Sequence, residues 1–134
     1  LPIITCLYTG STTPSRCAPM LRSPEPRIGQ PLDESFADHL ASALMLNPAV
    51  HDGAIMLDRE DKSSPYQIAG WSYRLFPPSL VRRLVPNRGS AFNSCLDMSA
   101  VPRVDRLYLV GPHGAYRFSD GSAIEISIPV DSPA

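Results

Sequence analysis

The stretch "GAIMLDREDKSSPYQIAGWSYRLF", Gly53 to Phe76, decides how this chain folds. It opens with the short apolar run Ala54 to Leu57, which reads as a buried strand. A polar segment, "DREDKSSP" from Asp58 to Pro65, has turn composition. The run "YQIAGWSYRLF", Tyr66 to Phe76, then returns with strand-favouring Ile68, Trp71 and Tyr73. Two apolar runs joined by a polar loop predict a hairpin, and a hairpin requires antiparallel pairing.

Upstream, "DESFADHLASALMLNP", Asp33 to Pro48, carries the helix period. Phe36, Leu40, Ala43 and Leu44 share one stripe. Asp33 is placed to cap the helix, and Glu34 adds acidic charge to its first turn. Asn47-Pro48 ends it, because a residue before proline avoids the helical region. His39 falls off the stripe and reads as a solvated surface residue.

Downstream, "PPSLVRRLVP" is a short crossover bracketed by prolines. "GSAFNSCLDMSA", Gly89 to Ala100, reads as a helix with Ser90 at its cap and Phe92, Cys95, Leu96 and Met98 on its apolar side. "RVDRLYLVG" is an apolar strand. "GAYRFSDGSAIEISIPV" is a second hairpin, with Asp120-Gly121 as its two-residue turn. Tyr116 and Phe118 alternate on one of its strands, and Ile124, Ile126 and Ile128 on the other.

The order helix, hairpin, helix, strand, hairpin predicts an α/β domain. Its sheet is mixed and partly antiparallel, and helices flank it. With 134 residues the chain suits one domain of modest core. Residues 1–31 hold six of the 15 prolines. They read as an arm or linker with a first strand in "LPIITCLY", and regular structure is not expected from Thr9 to Pro31. Residues 32–134 then form the domain.

At 43% hydrophobic and 19% charged, the composition is that of a globular protein. A net charge of -1 gives no electrostatic argument for nucleic acid or a membrane surface. No apolar run approaches the roughly 20 residues of a membrane span. No signal-peptide pattern is present, although the chain opens at Leu1 and suits a fragment of something longer. Three scattered cysteines, Cys6, Cys17 and Cys95, form no CxxC pair. They read as reduced thiols in a cytoplasmic protein.

Two places can carry chemistry. Asp52-Gly53 stands between a helix end and a strand start. A carboxylate there can ligate a divalent metal or take a proton from a hydroxyl. Asp-Gly is also ordinary turn chemistry. In "PNRGSAFNSC", Gly89 and Ser90 precede a helix whose free amides can face an anion, with Arg88 nearby. Ser90 can equally serve as a plain cap, and the Walker pattern is absent. His51 and His113 lack the spacing of a zinc site with Asp52. Arg82 and Arg83 read first as a solvated face and second as a phosphate clamp. Trp71 and Tyr73 read as core, and either offers a face to a nucleobase.

The order of "NPAVHDGAIML", "QIAGWSYRLFPPS", "NRGSAFNSC" and "VDRLYLVGPHGAYRFSDGS" resembles the landmarks of the diadenylate cyclase domain over roughly residues 33 to 128. "HDGA" matches as His51 to Ala54. The resemblance implies a mixed-sheet α/β domain, two of which meet face to face. Each would hold one ATP, and a divalent Mg or Mn ion would assist their joining into cyclic di-AMP. It implies that Asp52 serves the 3′-hydroxyl and can bear the metal. The family's "GTRHR" helix start falls on Gly89, Ser90, Ala91, Phe92 and Asn93, so both arginines and the histidine are missing. A leaving pyrophosphate needs positive charge close by, and these residues supply none.

The expected function is therefore a degenerate member of that family in bacterial cytoplasmic signalling. It would bind a nucleotide or cyclic-nucleotide signal without turning it over, as a sensor for an effector domain elsewhere in a longer chain. The expected ligand contacts are Asp52, Gly53, Ala54, Gly70, Trp71, Arg88, Gly89, Ser90 and Asn93. Two alternatives stand beside this: a working cyclase that uses Asp52 with Arg88, Arg82 or Arg83, and a non-catalytic self-association module.

Overall fold

A computed structural model of the chain describes residues 2–78, 89–112 and 114–126. It is an α/β domain built on one seven-stranded mixed sheet. In chain order the elements are β1 (Ile3–Thr9), β2 (Cys17–Pro19), α1 (Phe36–Leu46), β3 (Ala54–Arg59), β4 (Gln67–Leu75), α2 (Gly89–Met98), β5 (Val104–Gly111), β6 (Gly114–Ser119) and β7 (Ser122–Ile126). The strand order is β2-β4-β3-β1-β5-β6-β7. Among the described strands only the β1–β3 pair is parallel; β1–β5, β2–β4, β3–β4, β5–β6 and β6–β7 are antiparallel.

The sheet is covered on both faces. On one side α2 packs Phe92, Cys95, Leu96 and Met98 against Cys6, Tyr8, Met56, Leu107 and Phe118. On the other, α1 and its approach cover Leu7, Ile55, Leu57, Ile68 and Trp71. Residues of opposite parity along β1 and β3 thus enter different cores. This explains why "AIML" is continuously apolar rather than alternating.

Both predicted hairpins form. In the second, Asp120 (φ 49°) and Gly121 (φ 76°) both take the left-handed conformation that a tight two-residue turn needs. The turn is tied to the end of α2, because Gly121 N–H donates to Ser99 Oγ at 2.9 Å. The α1 stripe packs as the period predicts, but Asp33 does not cap the helix. Its Oδ1 accepts from Ser35 N at 2.8 Å in a local turn, and the helix starts three residues later.

The division at residue 31 does not correspond to a boundary. The predicted first strand is β1, and it lies between β3 and β5 in the middle of the sheet. Nor is the segment from Thr9 to Pro31 without regular structure. Cys17–Pro19 pairs with β4 opposite Tyr73 to Leu75. The chain then follows the rest of that edge: Met20 N–H donates to the Ser72 carbonyl, Gly29 N–H to Ile68, and Ile68 N–H to Gln30. Prolines remove donors, yet the remaining amides and carbonyls suffice to cover one edge strand. That is also where proline is tolerated in a sheet.

All three cysteines are free. Burial raises the Cys6 thiol, with smaller contributions from Cys17, Cys95 and Asp105. Burial also pushes the Cys95 thiol from 9.0 up to about 12. An unfolded thiol ionises near 9.0, while the folded Cys95 keeps its proton until about 12. The stabilisation is therefore complete below the lower value and is lost as pH rises through that window. The urea midpoint is expected to fall progressively above pH 9.0, with Cys95→Ala flattening the fall. In the folded protein Ellman's reagent should label half-buried Cys17 first, and the other two only on unfolding.

Candidate functional site

The approach to β3 forms one wall of the site. Asn47 leaves α1 in an extended conformation, and its Oδ1 accepts from Ala49 N at 3.2 Å. Pro48–His51 then winds one 3-10 turn. Asp52 follows in an extended conformation, and Gly53, at φ +93°, swings the chain into β3. A Cβ at Gly53 would lie 2.8 Å from Met20 Cε and from the Ser72 carbonyl carbon, and 2.9 Å from the Tyr73 oxygen. Glycine is therefore required both by its φ and by the backbone packed against it. The turn and the carboxylate coexist: Gly53 makes the turn, and the Asp52 side chain stays 69% exposed.

Helix α2 forms the facing wall. Its inner side is committed to the core, where Phe92 meets Tyr116 and Phe118 edge-on at centroid distances of 5.3 and 5.0 Å. Ser90, Ala91 and Ser94 are thereby turned toward Asp52. Between the walls is an open groove of about 410 Å³, bordered also by Met20, Tyr73 and Arg74. That volume lies within the range of small-molecule sites.

Strand β4 supplies the floor through an irregularity. The β3–β4 register slips between Ala54 and Leu57, so β4 is bulged there. Ser72, fully buried, sits in the bulge at φ 57°. The bulge breaks the two-residue alternation, sending Trp71 to the α1 side and Tyr73 to the α2 side. Gly70 leaves room for the Tyr73 ring, which lies over it. Burial, with Cys17 and Glu25 contributing less, raises the Tyr73 hydroxyl above its usual range.

Of the residues predicted to touch a ligand, Asp52, Gly53, Ala54 and Ser90 line this groove together. Gly70 and Trp71 do not. Gly70 is buried opposite Met56, and the Trp71 indole donates to the Arg27 carbonyl at 2.8 Å on the other face. Gly89 opens α2 at φ 79° without bordering the groove, and Asn93 Nδ2 donates back to the Gly89 carbonyl at 2.9 Å. Arg88, Arg82, Arg83, His113 and Ile128 lie outside the described residues. His39 borders a different hollow, between the proline-rich segment and α1.

Sequence reasoning missed Met20, Arg22, Arg74 and Ser94, while Tyr73, read as core with a face open to a nucleobase, does border the groove. Arg22 reaches the rim from the proline-rich segment, its Nη2 3.5 Å from Asp52 Oδ2. Only Ser94 had a signal in the sequence, since it lies one turn after Ser90 on α2.

Among the described residues no group of three or more His, Cys, Asp or Glu side chains converges on one point. Among the described residues Asp52 is the one carboxylate bordering the groove, and it faces the Arg22 guanidinium. This donor set does not fit a metal held by the protein alone.

No protein-family model matches the chain, and no curated protein is similar to it. Among solved structures, the chain is similar to the crystal structure of a hypothetical membrane spanning protein from Bacillus cereus. The TM-score is 0.61 at 13% identity, over 95% of this chain and 55% of that one. The chain thus spans about half the length of that neighbour, and the likeness is one of fold. Among the described residues no helix is long and apolar enough to cross a membrane.

Proposed function

We propose that this is a diadenylate cyclase-like domain of degenerate type. It binds a nucleotide or cyclic-nucleotide signal in the groove between Asp52 and Ser90 and does not turn it over. The observation that carries the reading is the open groove, bordered by the retained Asp52-Gly53-Ala54 and Ser90. Helix α2 adds its N-terminal amides, which favour a negative ligand.

The loss of turnover has a physical cause. Ala91 borders the groove but carries no charge, and Phe92 is spent on the core. Neutralising a leaving pyrophosphate takes cations or metal at that point. Any Mg or Mn ion would arrive on the phosphates of the nucleotide rather than on a protein-held site. In this reading the domain is a cytoplasmic sensor that reports occupancy to an effector elsewhere in a longer chain, with face-to-face self-association as the route.

Isothermal calorimetry with ATP and cyclic di-AMP tests the proposal. Saturable binding is expected, with no cyclic product on chromatography after incubation with ATP and Mn²⁺. Absence of heat for both ligands at high protein concentration would remove the sensor reading. Formation of cyclic di-AMP that disappears in Asp52→Asn would replace it with an active enzyme.

A further inference from the structure

The geometry points to Arg22 as the residue that grips the phosphate of the ligand, exchanging Asp52 for it. The assignment rests on the nucleotide reading and names the class more narrowly, as a ligand bearing a phosphate chain. A phosphate in this groove needs a cation, and Ala91, Phe92 and Asn93 provide none. Among the described residues, Arg74 borders the groove from β4, and Arg22 comes from the proline-rich segment to meet Asp52 at the groove's edge.

Its position is fixed from behind. Arg22 Nε donates to Ser72 Oγ at 3.2 Å, and the side chain is only 20% exposed. Ser72 is itself immobilised: its hydroxyl donates to the Val50 carbonyl at 3.2 Å, and its carbonyl accepts from Met20 N at 2.8 Å. Holding a buried serine at φ 57° is strained, and such strain persists where the surroundings over-determine it. The result is an anchor that sets the plane of the guanidinium.

The outer edge of Arg22 is available. Nη2 makes the contact to Asp52 at 3.5 Å, and Nη1 has no hydrogen-bond partner among the described residues. These two nitrogens form the fork that suits phosphate oxygens. The contact with Asp52 is long, and that carboxylate is largely exposed, so the pair holds weakly. When a phosphate takes the fork, Asp52 is left in water rather than buried without a partner, and the exchange carries no large penalty. Arg74, exposed on β4 and bordering the same groove, adds a second guanidinium for a longer phosphate chain.

The test is calorimetry of the intact chain, as wild type, Arg22→Gln and Arg22→Lys, with ATP, adenosine and tripolyphosphate. Thermal unfolding of each variant controls for folding. Arg22→Gln is expected to weaken ATP and tripolyphosphate by roughly tenfold to a hundredfold, the loss of charge-assisted hydrogen bonds, and to leave adenosine unchanged. Arg22→Lys restores charge without the fork and should recover part of the loss. Unchanged or tighter ATP binding in Arg22→Gln overturns the assignment; tighter binding would mean that Arg22 blocks the groove. If wild type binds ATP no more tightly than tripolyphosphate, and both depend on Arg22, the nucleotide reading falls and the Arg22 assignment stands. A wild type that binds none of the three overturns both.

Discussion

Phe92→Ala is expected to lower the unfolding free energy by about 3–5 kcal/mol, a large share of the roughly 5–15 kcal/mol available to a domain. Phe92 is the knob by which α2 holds the sheet. It is 6% exposed, and its ring meets both Tyr116 and Phe118 edge-on. Alanine removes both ring contacts and leaves a hollow that Cys95 and Leu96, fixed on the same helix, cannot fill. Urea denaturation followed by tryptophan fluorescence and by circular dichroism measures the loss. A change below about 1 kcal/mol would mean that α2 is not anchored through this ring. The variant should also lose whatever the groove binds, because Ser90, Ala91 and Ser94 depend on the seating of α2. Phe92→His is the informative companion. It keeps a ring at the position but places a polar one in the cluster with Tyr116 and Phe118, so it should also destabilise.

Gly53→Val is the second large effect, with an expected cost of about 2–4 kcal/mol from backbone strain and overpacking combined. The new Cβ would meet the backbone of Ser72 and Tyr73 within 2.9 Å, and backbone does not yield as the end of a side chain does. A β-branched residue is also ill suited to φ +93°. Relief requires β3 and the β4 bulge to separate, which would loosen Ser72 and with it Arg22. The expected signature is therefore joint: a lowered urea midpoint and weakened binding of phosphate-bearing ligands. A variant as stable as wild type would show that the turn into β3 has freedom that the close packing denies.

Much of the architecture was legible before the structure. The alternation and turn chemistry of the two hairpins, the stripe on α1 and the apolar side of α2 are local signals, and local signals are readable from a single chain. The role of the first 31 residues was not legible. Proline density is a statement about missing donors, and it says nothing of which strand edge will use the donors that remain. Nor does any local signal show that β1 belongs at the centre, since both of its partners lie far along the chain.

The site divides in the same way. Asp52, Gly53, Ala54 and Ser90 stand in short motifs, and the fold brings them to one groove. Gly70 and Trp71 lie away from it because a bulge shifts the parity of β4, and nothing in "IAGWSY" marks Ser72 as left-handed. Arg22 lies 30 residues from Asp52 in a segment that reads as linker. Its place beside Asp52 is set only once Met20 is hydrogen-bonded to Ser72.

The central position of β1 bears on how the chain reaches its folded state during synthesis. Ile3–Thr9 emerges before both of its neighbours, Ala54–Arg59 and Val104–Gly111. Pairing over such sequence distances slows folding, because a long loop must close before the contacts stabilise it. Until β5 leaves the ribosome, β1 presents a bare edge with Ile3, Ile4 and Leu7 on it, the kind of strand that chaperones shield. A ribosome-stalled chain ending near residue 100 should therefore be protease-sensitive throughout. One that exposes β5 should acquire protection in β1, β3 and β5 together.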